Sequence, residues 1–115
     1  VDAADNALGR DLLDRIAGPG TVRCFRPPYG NHDAATVRLA KERGLATILW
    51  SRDGQDWSQP GVDAIVRGNL DTRFDGGRGV VVLHDGGARR AQTVAALPKV
   101  IDALRSQGYT FVQLC

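Results

Sequence analysis

Val80-Val81-Val82-Leu83-His84-Asp85 is an apolar run without alternation, closed by an imidazole and a carboxyl group. A run of that kind is buried on both faces, as the strands of a parallel sheet are. His84 then stands at the C-terminal end of its strand, where β/α enzymes collect their reactive groups. Two other stretches repeat the arrangement. Thr21 to Phe25 leads into Arg26-Pro27-Pro28-Tyr29-Gly30, and Leu45 to Trp50 precedes Asp53-Gly54-Gln55-Asp56-Trp57. An arginine, a carboxylate beside a tryptophan and a histidine thus each follow an apolar run, and are expected to converge at one end of a sheet.

Helical spacing fills the intervals. Leu8, Leu12, Leu13 and Ile16 define a first helix, with Asp5 or Asn6 as its cap and Gly18-Pro19-Gly20 as its end. Asn31 or Asp33 opens a second helix, through Val37, Leu39 and Ala40 to Gly44. Val62, Ile65, Val66 and Leu70 give a third one apolar face. A fourth, from about Ala91 to Gln107, is expected to turn Val94, Leu97, Val100, Ile101 and Leu104 inward and to kink or divide at Pro98. Tyr109 to Leu114 reads as a closing strand. Strands alternating with helices every 25 to 30 residues or so are β/α units. Four strands do not close a barrel that takes about eight, so the expected fold is the later half of a β/α barrel, with residues 1–115 forming part of one domain.

The 115 residues, 43% of them hydrophobic, suffice for one core. A net charge of +2 with interleaved Arg and Asp offers no surface for nucleic acid or anionic lipid. No run approaches the roughly 18 apolar residues of a membrane helix, and no membrane partner is expected. The sequence has no Met, so Val1 is not expected to be a translation start and the chain reads as part of a longer one. Cys24 and Cys115 lie near opposite ends; they either bridge, tying the end of the chain to an early strand as in extracytoplasmic proteins, or stay reduced in the core.

The three motifs resemble, in order, the last three of the five short motifs of the polysaccharide deacetylases, the NodB homology domain of carbohydrate esterase family 4. Arg26 to Gly30 matches R-x-P-Y-G, Asp53 to Trp57 matches D-x-x-D-W, and Val82-Leu83-His84 matches L-x-H with valine at its first position. The family's T-F-D-D-G and H-x-x-x-H motifs, which supply the base and the metal ligands, are not in the sequence. The resemblance implies the C-terminal half of a distorted (β/α) barrel with no metal ligands in this chain. It also implies a zinc or cobalt ion and a catalytic base on a preceding segment, the N-terminal half of the same domain or a separate chain.

In that setting His84 is the general acid, Asp53 the carboxylate that favours its charged form, and Arg26 the holder of the absent base. Asp56 competes with Asp53 for that place but is expected to be structural. The backbone N–H of Tyr29, stiffened by Pro27 and Pro28, would face a developing oxyanion. Trp57 and Val82 would receive the acetyl methyl group, with Leu83 facing the core or sharing that role. The implied activity is removal of acetyl groups from an acetylated polysaccharide, such as peptidoglycan, chitin or O-acetylated xylan, outside the cell or at its wall. The rival expectation is a non-catalytic carbohydrate-binding relative. An unrelated α/β hydrolase or phosphatase would need a serine elbow or a D-x-D motif, and the sequence has neither. Gly86-Gly87 reads as a tight turn.

Overall fold

The computed structural model describes residues 3–70 and 74–115, with side chains of the first helix from Leu8 onward. They form two compact units, one running to Leu49 and taking up Gln113–Cys115, the other spanning Trp50–Val112.

The first unit contains α1 (Ala3–Ala17), β1 (Cys24–Phe25), α2 (Ala34–Glu42) and β2 (Ala46–Thr47). α1 begins ahead of Asp5 and Asn6, so neither is its cap. Leu8, Leu12, Leu13 and Ile16 keep helical spacing yet all are exposed. Arg10 ties α1 to the end of α2 by donating from Nη1 to the Arg43 carbonyl at 2.6 Å. Asp33, not Asn31, caps α2, its carboxylate accepting from the Thr36 N–H at 2.7 Å and the Thr36 hydroxyl at 2.8 Å. At the other end Gly44, at φ 70°, closes a Schellman turn: its N–H reaches the Lys41 carbonyl and that of Leu45 the Ala40 carbonyl, both at 2.9 Å. The turn drops Leu45 into the core beside buried Ala40 and starts β2. β1 and β2 are parallel, with Cys24 opposite Ala46 and Phe25 opposite Thr47.

The second unit contains β3 (Arg52–Asp53), α3 (Val62–Leu70), β4 (Val81–Val82) and α4 (Ala91–Ser106). β3 pairs parallel with β4, Arg52 opposite Val81 and Asp53 opposite Val82. Asp53 therefore closes a strand rather than opening a loop. Phe74, Val100 and Leu104 form the buried core, flanked by Val66, Leu70, Val81 and Tyr109. The Tyr109 ring meets Phe74 edge-on at 5.4 Å, and its hydroxyl accepts from the Phe74 N–H at 3.2 Å. Gly79 is required beside that ring, since a Cβ there would overlap Phe74.

α4 departs from expectation in two ways. It is unbroken across Pro98, whose missing N–H falls on an exposed position where water can serve the freed carbonyl. Its buried face is Thr93, Ala96, Val100 and Leu104, while Val94 and Leu97 are exposed. The helix ends in a second Schellman turn, Gly108 N–H to Arg105 at 2.9 Å and Tyr109 N–H to Leu104 at 3.1 Å. That turn sends Tyr109 against Phe74, and no strand forms over Tyr109 to Leu114: a strand needs a ladder partner, and none pairs with it among the described residues.

Candidate active site

The second unit brings two of the motifs together. β3 leads into a 3₁₀ turn over Asp56–Ser58, bracketed by Gln55 and Gln59 in left-handed conformation (φ 51° and 56°). The loop lies directly on α3. A Cβ on Gly54 would overlap the Asn69 amide and stand 2.7 Å from the Ile65 carbonyl, and one on Gly68 would stand 2.9 Å from the Gly54 Cα. Two glycines therefore let backbone pack on backbone, and the left-handed step at Gln55 then turns Asp56 inward, where it is 1% exposed.

Its carboxylate is fully engaged. Oδ2 accepts from the His84 backbone N–H at 2.8 Å and from the Thr93 hydroxyl at 2.8 Å, and Oδ1 bonds His84 Nδ1 at 2.7 Å. Burial acts to raise the Asp56 pKa. Bonds from the His84 N–H, its ring and Thr93, with the ring's charge, outweigh that and hold the carboxyl below its ordinary value. An ionised carboxylate only accepts, so Nδ1 carries the proton of the shared bond. Nε2 is then the ring nitrogen that can trade protons, on a side chain 40% exposed.

The expected pairing of Asp53 with His84 is corrected. The Asp53 carboxylate accepts from the Gln55 N–H at 2.8 Å, an Asx turn at the end of β3, and Asp56 stands against His84. Thr93, Gly68 and the inward role of Asp56 were missed from sequence. Thr93 shares the helical face of Ala96, Val100 and Leu104, and that spacing was the available signal. Of the apolar candidates Val82 is buried in β4, Leu83 is half-buried and Trp57 is exposed.

Arg26, Pro28 and Tyr29 belong to the first unit. Arg26 is exposed just past β1, and buried Pro27 anchors a 3₁₀ turn over Pro28–Gly30. Gly30 N–H to Pro27 (2.9 Å) and Asn31 N–H to Pro28 (3.0 Å) close this turn, and neither bond uses the Tyr29 N–H. Tyr29 is held at φ 56°, a left-handed conformation costing a non-glycine residue roughly 1 kcal/mol or more. In the same unit Cys24 and Cys115 form a disulfide with Cα atoms 6.0 Å apart. The metal that the motifs imply has no fitting donor set here: among the described residues no three His, Cys, Asp or Glu side chains gather. His32 Nδ1 lies 2.7 Å from the Gly30 carbonyl and His84 Nδ1 is held by Asp56.

Parallel β/α units with a buried Asp holding a half-exposed His just beyond the strand ends define a class, part of a β/α barrel of the NodB type. No family model matches the chain. It is 48% identical over 120 residues to a peptidoglycan-N-acetylglucosamine deacetylase of Bacillus cereus, covering 96% of this chain and 54% of that protein. To a chitooligosaccharide deacetylase of Sinorhizobium fredii it is 39% identical, covering 94% of this chain and 54% of the relative. Among solved structures, a peptidoglycan N-acetylglucosamine deacetylase gives a TM-score of 0.80 at 31% identity over 90% of this chain and 48% of that one. A family 4 carbohydrate esterase from Streptomyces lividans in complex with acetate gives 0.71 at 33% identity, over 88% of this chain and 50% of that one. A family 4 pseudoenzyme from Bacillus anthracis gives 0.76 at 25% identity, over 96% and 38%. The chain is homologous to polysaccharide deacetylases and similar in structure to esterases of carbohydrate esterase family 4, and spans about half the length of the curated relatives it matches.

Proposed function

We propose that the complete protein is a metal-dependent deacetylase of an acetylated polysaccharide, acting outside the cell or at its wall, and that this chain supplies the proton-donor side of its site. The observation that carries the reading is the Asp56–His84 pair. A general acid must hold one ring nitrogen in fixed orientation and keep the other for the substrate, and the pair does so. With Nδ1–H bound to Asp56, Nε2 is left to protonate the departing amine or alkoxide oxygen as the bond to the acetyl carbon breaks.

From the first unit, the Tyr29 N–H would donate to the oxyanion, and Arg26 would hold the carboxylate of the base through a forked pair of hydrogen bonds. Trp57 and Leu83 would line the space for the acetyl methyl group over buried Val82. Zinc or cobalt, when bound, would polarise the acetyl carbonyl and acidify a water; its ligands and the base would lie in the half of the domain outside this chain, a partner in the same polypeptide or in a separate one. The Cys24–Cys115 disulfide supports an oxidising compartment. The peptidoglycan and chitooligosaccharide deacetylases among the relatives support an N-acetylglucosamine polymer over O-acetylated xylan.

The pseudoenzyme neighbour favours a second reading, a relative that binds glycan without cleaving it. Acetate release separates the two. The complete protein, incubated with zinc or cobalt and an N-acetylated chitooligosaccharide or peptidoglycan, is expected to release acetate. Binding of these glycans without release would support the second reading and overturn the first.

A further inference from the structure

We infer that Thr93, on the first turn of α4, is a positioning residue for proton transfer: its hydroxyl locks the Asp56 carboxylate in the one rotation that presents Oδ1 to His84 Nδ1. The inference rests on the reading of His84 as proton donor. Thr93 is 6% exposed, and its hydroxyl donates to Asp56 Oδ2 at 2.8 Å. A helical threonine ordinarily returns its hydroxyl to a carbonyl of the preceding turn. Here that bond goes to a loop 37 residues away in sequence.

The geometry explains why the bond matters. Asp56 receives its two other bonds from one residue, the His84 N–H to Oδ2 and the His84 ring to Oδ1. Both donors move with the end of β4, so they do not by themselves fix the carboxylate against the rest of the unit. Thr93 adds a donor from a different element. That element is anchored near the same point, where the Gln92 side chain accepts from the Gly61 N–H at 2.8 Å, and by buried Ala96, Val100 and Leu104 further along. Strand end, loop and helix are thereby joined through one carboxylate. If the hydroxyl is lost, Oδ2 keeps a single donor, the carboxylate gains a rotation about its Cβ–Cγ bond, and the Nδ1–H bond is made only part of the time.

The test uses the complete protein, with Thr93→Val, which replaces the hydroxyl by a methyl of similar size, and Thr93→Ser, which keeps the hydroxyl. Thr93→Val is expected to lower kcat for acetate release about ten- to a hundredfold, the worth of one hydrogen bond to a charged group, with KM little changed. Thr93→Ser should recover activity to within about threefold of the parent, because the donor to the charged oxygen is restored. A structural role would not move the second readout, the far-downfield NMR resonance of the His84 Nδ1 proton. It is expected in the parent and in Thr93→Ser, and should shift upfield and broaden in Thr93→Val. Should Thr93→Val fail to fold, Thr93→Ala carries the same expectations.

Parent-like kcat together with an unchanged resonance in the hydroxyl-free variant would overturn the inference, as would loss of activity that Thr93→Ser does not restore. His84→Ala separates this outcome from failure of the underlying reading. An active His84→Ala removes His84 as proton donor, and with it the positioning role. An inactive His84→Ala beside a parent-like Thr93→Val removes Thr93 alone.

Discussion

Replacing Asp56 by asparagine separates what the carboxylate does for the fold from what it does for the histidine. Asparagine has the same shape, so its oxygen can take the place of Oδ2 and still accept from the His84 N–H and the Thr93 hydroxyl, each 2.8 Å away in the parent. Those two bonds change from charge-assisted to neutral, at about 1 kcal/mol each, so unfolding should become easier by about 2 kcal/mol. Asp56→Ala would instead strand all three donors and leave a void, at about 3–5 kcal/mol. The effect on the ring is of another kind. In Asp56→Asn the amide nitrogen replaces Oδ1 and donates toward His84 Nδ1, 2.7 Å away in the parent, so the ring must accept there and carry its proton on Nε2. A neutral Nε2–H ring is a far weaker acid than imidazolium, and imidazolium now places a second donor against the amide. General-acid catalysis contributes about 10²–10⁴-fold, and most of it should be lost. Urea unfolding and acetate release by the complete protein, measured on Asp56→Asn beside the parent, test both statements. An Asp56→Asn protein that unfolds about as predicted yet keeps parent-like kcat would refute the claim that the carboxylate sets the histidine's tautomer.

Three further outcomes are expected. Gly54→Ala should destabilise the second unit by about 1–3 kcal/mol, because its Cβ meets the Ile65 carbonyl at 2.7 Å and overlaps the Asn69 amide; denaturant midpoints check it. Replacing Cys115 by serine should lower the stability of the oxidised protein by about 4–5 kcal/mol, the chain-entropy value for a bridge between residues 91 apart; calorimetry with and without reductant measures it. Asp56 is held below its ordinary pKa in the folded state. Its contribution is therefore complete above the unfolded carboxylate range and lost as pH falls through the folded value, so urea midpoints should drop on acidification and drop less steeply in Asp56→Asn.

Much of the fold was legible in the chain because period and punctuation agree. Val62 to Leu70 is a helix as read, Asp33 caps α2, and Gly44 ends it. Cys24–Phe25 and Val81–Val82 form inside the stretches read as strands, though only as short parallel pairs. Tyr109 to Leu114 has strand composition but no ladder, and a ladder depends on a neighbour that composition cannot name. The face of α4 was misjudged for a related reason. Val94 and Leu97 are the more apolar choices, yet a helix turns toward whatever it packs on, and here Thr93 is turned in to serve a buried carboxylate. A one-dimensional reading prefers Asp53 to Asp56 as the partner of His84. Only the left-handed step at Gln55 and the glycine contact with α3 show that the second turns inward.

The central claim is that His84, oriented by Asp56, delivers the proton in a deacetylation completed by residues outside this chain. Acetate release from an N-acetylated chitooligosaccharide by the complete, metal-loaded protein, compared with its His84→Ala variant, tests it most directly. The account predicts release by the parent and a loss of about 10²–10⁴-fold in the variant. Release at the parent rate by His84→Ala would contradict it.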